Sequence, residues 1–463
     1  MTALLTHPDP DGLLEYSVVY TDRALNHMSQ RFQGVMRDIS RLLKVVYHAD
    51  ATAIVPGSGT FGMEAVARQF ATEQKVLVIR NGWFSFRWTQ IFDMGRIPAD
   101  TRVLKARQVG DGPQAPFAPA PIDEVVAAIR EYRPAVVFAP HVETASGMML
   151  PDDYLQAVGA AVREVGGLFV LDCIASGTVW VNMQANLVDV LISAPQKGWS
   201  ASPCGALIGL SERALARLND TTSTSFACDL KKWRQIMEAF ETGGHAYHAT
   251  MPTDALTVLR DVMLETEQYG FDKVCAEQHE LGRRVRALLE SRGFPSVAAE
   301  GFQAPGVVVS YTSDPEIQTG KKFLGVGLQT AAGVPLQLVV GGLRRERAAM
   351  EPSARVRILS HWQAVNASTG QLFDFDRGLP EGMVYDTEPA CRAIVTARRL
   401  DEDLQIGLGL RLTDELGQGL GPQGAVRPAL EGLRIPGDQA GQRPSSCRPA
   451  LIRACTGASS RRR

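Results

Sequence analysis

Ser193-Ala-Pro-Gln-Lys-Gly-Trp199, read together with Leu171-Asp-Cys-Ile-Ala-Ser176 upstream, is the part of this sequence that decides the fold. A short apolar run rich in β-branched residues leads into each segment, which is typical of buried strands in a parallel sheet. Asp172 and Lys197 are therefore predicted at, or just beyond, the carboxyl ends of two strands. Open α/β sheets bind ligands along that edge, so the two side chains are candidates for one site.

A single carboxylate and a single amine at such an edge are the pair of groups that pyridoxal phosphate (PLP) requires. In this interpretation Lys197 forms the Schiff base, and Asp172 pairs with the pyridinium nitrogen and keeps the ring an electron sink. Gly198 and the aromatic Trp199 favour a buried, nucleophilic amine. The alternatives are a surface lysine in a loop and an aspartate that caps a turn.

The residues around these two segments, from about 50 to 210, alternate between strand and helix patterns. This order predicts an α/β fold, with a mostly parallel sheet covered by helices on both faces. The predicted strands are Ala51–Val55, Lys75–Arg80, Arg102–Lys105, Ala135–Ala139, Gly167–Asp172, Leu187–Ser193 and Gly205–Leu210. The predicted helices include one that starts near Phe61, Pro121–Arg130, Asp152–Glu164, Ser211–Asn219 and Asp229–Glu241.

The chain changes character after the sheet. Leu264–Arg292 predicts one long charged helix, and Gly306–Tyr311 predicts a strand of a smaller α+β domain. After Lys322 all Lys/Arg charge comes from arginine, and from about residue 413 onward Gly, Pro, Gln and Arg dominate with little periodicity. Such a composition predicts either a disordered tail or the product of a shifted reading frame.

Composition narrows the class of protein. The chain has 463 residues, a formal charge of −2 and 45% hydrophobic residues, which favours two globular domains and argues against nucleic-acid or membrane partners. The start shows no signal-peptide pattern, and no apolar run is long enough to cross a membrane. The seven cysteines lack CxxC spacing, so reduced thiols in a cytoplasmic protein and no metal site are expected.

A glycine-rich turn, Pro56-Gly-Ser-Gly-Thr60, lies between a predicted strand and the helix that starts near Phe61. Glycines let backbone N–H groups approach an anion, and a helix N-terminus adds positive potential. Gly59 and Thr60 are therefore candidate phosphate contacts, although most glycine-rich turns are only turns.

Aromatic and hydroxyl side chains supply further candidates. In Asn81-Gly-Trp-Phe-Ser-Phe-Arg87, Phe84 or Trp83 is placed to stack on a pyridine ring, the alternative being a core cluster. Tyr247 and Thr250 lie in a polar loop between helices, and they either offer hydroxyl groups to a phosphate or belong to a plain connector.

The segment His141-Val-Glu-Thr-Ala-Ser-Gly147 also follows a predicted strand. Thr144 is a candidate hydrogen-bond donor to the ring hydroxyl oxygen. His141 and Glu143 are interpreted as side chains that satisfy backbone groups, and for a lone histidine this is the favoured interpretation.

Taken together, these segments resemble the class V aminotransferases of the fold-type I PLP enzymes, especially the alanine/serine–glyoxylate (serine–pyruvate) aminotransferase branch. The resemblance covers about residues 20 to 335, and the combination of motifs in family order is specific where no single motif is. The matching segments are Gly57-Ser-Gly-Thr-Phe61, Asn81-Gly-Trp-Phe-Ser-Phe-Arg87, His141-Val-Glu-Thr-Ala-Ser-Gly147, Leu171-Asp-Cys-Ile-Ala-Ser-Gly177, Ser193-Ala-Pro-Gln-Lys-Gly198 and Tyr247-His-Ala-Thr-Met-Pro252.

The resemblance implies a mostly parallel, seven-stranded sheet sandwiched by helices, followed by a small α+β C-terminal domain. It implies that Lys197 is the Schiff-base lysine, Asp172 the pyridinium partner, Phe84 the stacking residue and Thr144 the ring-oxygen contact. The implied phosphate contacts are Ser58, Gly59, Thr60 and Gln196. Tyr247 and Thr250 resemble residues that reach the phosphate of the neighbouring subunit, which implies a homodimer with shared active sites.

The implied division of the chain is an N-terminal arm (1–30), a large PLP-binding domain (31–263), a small C-terminal domain (264–400) that is atypical after 338, and a disordered or aberrant tail (401–463). The family's late segment with an Arg-(Ile/Leu)-Gly core, whose arginine pairs with the substrate carboxylate, is not found after Leu338. Arg344, Arg345 and Arg411 are possible substitutes, and nothing in the sequence selects one.

The sequence thus predicts a PLP-dependent aminotransferase that moves an amino group from serine or alanine to a 2-oxo acid such as glyoxylate or pyruvate. One alternative is a lyase or desulfurase of the same fold, with Cys173 or Cys204 near the substrate. The other is an inactive cofactor-binding homologue that lacks a carboxylate anchor because its C-terminus is altered.

Overall fold

The computed structural model describes residues 24–325, 330 and 355–359. These residues all belong to the first of the two compact units of the chain, Met1–Leu410. Most of the predicted N-terminal arm and the whole of the predicted tail lie outside them. The three arginines considered for the substrate carboxylate lie outside them as well.

The described elements follow one another as alternating helices and strands over most of their length. The helices are α1 (Gln30–Tyr47), α2 (Gly59–Phe70), α3 (Trp83–Gly95), α4 (Ile122–Tyr132), α5 (Asp152–Glu164), α6 (Glu212–Asp220), α7 (Leu230–Glu241), α8 (Thr253–Tyr269), α9 (Phe271–Ser291), α10 (Pro315–Gln318) and α11 (Lys321–Gly325). The strands are β1 (Ala51–Pro56), β2 (Lys75–Arg80), β3 (Asp100–Lys105), β4 (Arg107–Gln108), β5 (Phe117–Ala118), β6 (Val136–Pro140), β7 (Val142–Glu143), β8 (Met148–Met149), β9 (Leu168–Asp172), β10 (Val190–Ser193), β11 (Gly205–Leu210), β12 (Val307–Tyr311) and β13 (Arg355–Leu359).

A seven-stranded sheet with the order β1-β11-β10-β9-β6-β2-β3 forms the centre of the fold. The strands from β10 to β3 pair in parallel, and β11 is antiparallel to both of its neighbours. The strands β9, β10 and β11 are buried along their whole length, which explains their nearly continuous apolar sequences, whereas the edge strand β3 is partly exposed. The predicted α/β architecture with a mostly parallel, seven-stranded sheet is confirmed.

The sheet is covered by amphipathic helices whose apolar residues recur at helical spacing. The sequence pattern of α4 predicted an apolar face of residues 122, 125, 126 and 129. Helix α4 buries Val125 and Ile129 of this set and also Ala128, and α5 has the predicted bounds. Two short elements outside the sheet, β12 and β13, pair antiparallel. No helix in the described part of the chain combines the length and the apolarity that crossing a membrane needs.

The prediction of one long helix over Leu264–Arg292 is wrong. The structure has two helices there, α8 and α9, which are separated only by Gly270. Gly270 has φ 106°, which breaks the helical geometry without interrupting the apolar periodicity on either side. The sequence analysis also missed two helices, α1 and α3. It missed α3 because the aromatic run after β2 was not recognised as the start of a helix.

We predict opposite stability changes for two glycine substitutions. Gly270→Ala forces an L residue to φ 106° and should lower the free energy of unfolding by about 1–3 kcal/mol. Gly34→Ala, inside α1 with no atom closer than 4.0 Å to the added methyl group, should raise it by about 0.5–1 kcal/mol. Urea unfolding of both variants measures the difference, and equal effects would contradict the role given to Gly270.

Candidate active site

The candidate site lies at the carboxyl edge of the sheet, where β9 and β10 run side by side. Asp172 ends β9 and is in register with Ile192 of β10 and Pro140 of β6. Lys197 lies in the turn that follows β10. The pairing therefore brings the predicted acid and amine to neighbouring strand ends on one edge, as the sequence indicated.

Asp172 is a buried acid, and one of its two carboxylate oxygens accepts a described hydrogen bond. Its side chain is 6% exposed, and Oδ1 accepts a hydrogen bond from the Ile174 N–H at 3.0 Å. Within the described residues no hydrogen bond reaches Oδ2. Burial raises the pKa of Asp172 to about 7 and Glu143 adds to the rise, whereas the Ile174 bond and Arg87 oppose it. A cation at Oδ2 would lower this pKa, so the site has the electrostatics of a cation acceptor.

The turn that carries Lys197 is held from both sides. The Ser200 N–H donates to the Lys197 carbonyl at 3.1 Å. A Cβ atom on Gly198 would lie 2.0 Å from the Gly177 carbonyl oxygen, so only glycine fits next to the lysine. Trp199 is fully buried and stacks on Trp180 at 4.7 Å between ring centroids. Lys197 itself is only half-buried, whereas a buried amine was expected from the sequence.

The glycine-rich turn leads into the N-terminus of α2. Ser58 is the extended N-cap residue, and its hydroxyl makes no capping bond. The first N–H groups of a helix have no intrahelical acceptor, so those of Gly59 and Thr60 are available to an anion. A Cβ on Gly59 would lie 2.5 Å from the Ile174 side chain. This turn therefore packs directly against the residues that follow Asp172.

The first turn of α3 presents Phe84 to the same region. Arg87, one helical turn later, places its guanidinium 4.9 Å from the centre of the Phe84 ring and donates to Thr60 Oγ1 at 2.9 Å. Sequence analysis missed Arg87. The signal was present, because residues three apart on a helix share a face, but it required the aromatic segment to be recognised as a helix.

Thr144 is buried beside Glu143, whose carboxylate accepts hydrogen bonds from the N–H groups of Phe84 and Ser85. His141 is also buried. Its Nδ1 lies 2.7 Å from Ser176 Oγ, and burial lowers its pKa to about 3. His141 is therefore a buried, neutral histidine, and its hydrogen-bond partner is a side-chain hydroxyl rather than the backbone group that was expected.

Three predicted contacts remain: Gln196, Tyr247 and Thr250. Gln196 precedes Lys197, and its buried Oε1 has no hydrogen-bond partner in the described part of the chain. Tyr247 is 65% exposed, and its hydroxyl lies 3.4 Å from that of Thr250. The Tyr247 ring packs at 5.6 Å from His27. No described contact joins this exposed pair to the sheet-edge residues of the same protomer.

These groups fit PLP. A buried carboxylate with an open oxygen suits a ring nitrogen that carries a proton. The N-terminus of α2, with the Thr60 hydroxyl and the nearby Arg87 guanidinium, suits a phosphate. Phe84 supplies an aromatic face, and Lys197 supplies the amine.

Comparisons with known proteins test the fold and the resemblance to the aminotransferases. No family model matches the chain. The small subunit of a soluble hydrogenase from Synechococcus sp. is 24% identical over 310 residues, 66% of this chain and 77% of that protein. Alanine–glyoxylate aminotransferase 1 of Saccharomyces cerevisiae is 25% identical over 312 residues, 63% of this chain and 78% of that protein.

The crystal structure of alanine–glyoxylate aminotransferase from Nostoc sp. has a TM-score of 0.57 to this chain at 23% identity, covering 72% of this chain and 83% of that one. The fold of these aminotransferases is therefore the fold of this chain. The relatives also confirm the resemblance to the glyoxylate aminotransferase branch, although the Synechococcus protein carries the name of a different activity.

We predict that Asp172 weakens the ligand-free protein at high pH. Its pKa is raised from 3.8 to about 7 on folding, so the folded state holds the extra proton between these values and stability falls as pH rises through them. Asp172→Asn keeps the acceptor for Ile174 and removes this slope. The variant should gain a few kcal/mol over wild type between about pH 5 and about pH 8. Parallel curves of unfolding free energy against pH would contradict the assignment.

Proposed function

We propose that this chain is a PLP-dependent aminotransferase that moves an amino group from a small amino acid, such as serine or alanine, to a 2-oxo acid such as glyoxylate or pyruvate. The observation that carries the proposal is the pairing of β9 with β10, which presents Asp172 and the Lys197 turn at one edge. The yeast relative is named for alanine and glyoxylate, which supports this class of substrate.

Bound PLP supplies a carbonyl group that takes up the amino group and a ring that accepts electrons from the substrate Cα. Lys197 anchors the cofactor at rest. With substrate bound, the Lys197 amine would serve as the general base for the Cα proton and as the general acid that returns a proton. Asp172, ionised by its cationic partner, keeps the ring nitrogen protonated.

The remaining residues bind and orient. Phe84 would stack on the ring, and Thr144 would donate a hydrogen bond to its hydroxyl oxygen. Backbone N–H groups at the start of α2 hold the phosphate, together with side chains nearby: Ser58, Thr60 and Gln196. Stacking and phosphate binding leave the ring little freedom to rotate, so the substrate bond to be broken stays aligned.

The proposed assembly is a cytoplasmic homodimer. Tyr247 and Thr250 lie together in an exposed loop, and no described contact links them to the site of their own protomer. Two exposed hydroxyl groups at this position are well suited to the phosphate of a second copy.

The cysteines do not support the lyase or desulfurase alternative. Cys173 is 2% exposed and Cys204 6% exposed. Burial raises the pKa of both thiols, that of Cys204 to about 11, so neither is a mobile thiolate near the substrate. The inactive-homologue alternative differs in a measurable way, because it would bind cofactor without responding to an amino acid.

We predict that borohydride reduction of the PLP-loaded protein attaches the cofactor to Lys197 alone. Peptide mapping identifies the modified lysine, and Lys197→Ala should abolish the labelling, whereas Lys232→Arg, at an exposed lysine on α7, should not. Serine or alanine should convert the bound cofactor to its amine form, seen as a shift of its absorption band. An adduct on another lysine defeats the assignment, and a silent spectrum favours the inactive homologue.

We predict that the dimer shares its sites between subunits. Lys197→Ala and Tyr247→Ala should each be strongly impaired alone. In a mixed dimer one site combines the intact Lys197 of one subunit with the intact Tyr247 of the other, so remixing should restore about a quarter of wild-type activity. If both groups served the same protomer, remixing would restore nothing.

A further inference from the structure

We propose that Glu143 is a positioning residue for the cofactor ring. Its carboxylate holds two ring contacts in place, Phe84 and Thr144. This inference rests on the proposed function. It assigns a role to a side chain that had been interpreted only as a partner for backbone groups.

The Glu143 carboxylate is fully buried and has four hydrogen-bond donors. Its Oε1 accepts from the N–H groups of Phe84 at 3.2 Å and Ala145 at 2.9 Å. Its Oε2 accepts from the Ser85 N–H at 2.9 Å and the Ser85 hydroxyl at 2.7 Å. One carboxylate therefore holds the backbone of the stacking residue and the residue that follows Thr144.

The hydrogen bonds at the start of α3 link this helix to a distant part of the chain. Helices α1, α6 and α7 are preceded by the N-cap residues Ser29, Ser211 and Asp229. Each of these side chains accepts a hydrogen bond from the backbone N–H three residues later. Gly82, the N-cap residue of α3, has no side chain to act as a cap. The Ser85 hydroxyl accepts from the Gly82 N–H, but the N–H groups of Phe84 and Ser85 bond to a residue 58 or 59 positions later. A local cap satisfies N–H groups equally well, but only a distant one ties the helix to another part of the site.

The consequence is a fixed distance between the two ring contacts. Glu143 ends β7, which follows β6, and β6 pairs with β9 at Asp172. The carboxylate thus links the start of α3 to the strand next to Asp172. A buried carboxylate among donors is hard to replace, because a neutral amide offers one acceptor oxygen and turns two N–H donors toward the others.

The chain offers a matched control in Asp189, another fully buried carboxylate. Its Oδ2 accepts from the Phe169 N–H at 2.9 Å and its Oδ1 from the Ser211 hydroxyl at 3.0 Å. It directly precedes β10, at the amino end of the sheet and away from Asp172. Asp189 also forms an ion pair with Arg213 at 3.7 Å. Asp189→Asn therefore makes the same carboxylate-to-amide change at the opposite edge and loses this ion pair in addition.

The test compares PLP affinity and stability in these two variants. Apo protein is titrated with PLP by absorbance, and its unfolding is followed in urea. Both variants should lose stability, but only Glu143→Gln should raise the PLP dissociation constant, by roughly tenfold for one charged hydrogen bond lost, and should shift the absorption band of the bound cofactor. Equal dissociation constants in the two variants overturn the proposal.

A second substitution covers the case in which Glu143→Gln fails to fold. Ser85→Ala removes the hydroxyl donor to Glu143, and with it the acceptor of the Asn81 and Gly82 N–H groups, but leaves the backbone donors to Glu143. It should weaken PLP binding a few-fold. An unchanged dissociation constant overturns the proposal. A wild-type protein that binds no PLP contradicts the proposed function itself, and this result is distinct from a null effect of the substitutions.

Discussion

The parallel pairing of β9 with β10 is the constraint on which the candidate site depends. Side chains alternate between the two faces of a strand, so a slip of one residue would turn Asp172 to the opposite face. Both strands are apolar and buried, and helices cover them, so any other register would expose apolar side chains or bury the acid elsewhere. The core therefore sets the register, and the register sets the position of the acid relative to the Lys197 turn.

Parts of the chain that are distant in sequence converge on this edge. The start of α2 packs on Ile174, Arg87 of α3 bonds to Thr60, and Glu143 bonds to Phe84. Each link joins two elements that the sheet has already placed, so the site forms only when the whole sheet has formed. Local unfolding of α2 or α3 should therefore disturb cofactor contacts before it disturbs the central strands.

The sequence predicted those features that short segments determine. Apolar β-branched runs identified the seven strands, and the acid and amine stood out because each directly follows such a run. Other features depend on distant partners or on backbone geometry. Arg87 and Glu143 have meaning only once α3 is known to start at Trp83, and the break at Gly270 leaves the apolar periodicity on both sides intact. Patterns of side chains do not record a φ angle or a hydrogen bond between residues 58 positions apart.

The burial of Asp172 couples cofactor binding to stability. The ligand-free protein holds this acid where burial raises its pKa to about 7, and the nearby Glu143 carboxylate adds to the rise. Ionising Asp172 is therefore unfavourable until a cation arrives. In the proposed complex a protonated ring nitrogen would stabilise the charged form of Asp172. Above about pH 7, where Asp172 is ionised in the ligand-free protein, binding would relieve the electrostatic cost that folding imposes on this charge. Glu143 has two effects in this account. Its carboxylate bonds to the backbone of Phe84, and its charge raises the pKa of Asp172, so that a cationic partner stabilises ionised Asp172 more strongly.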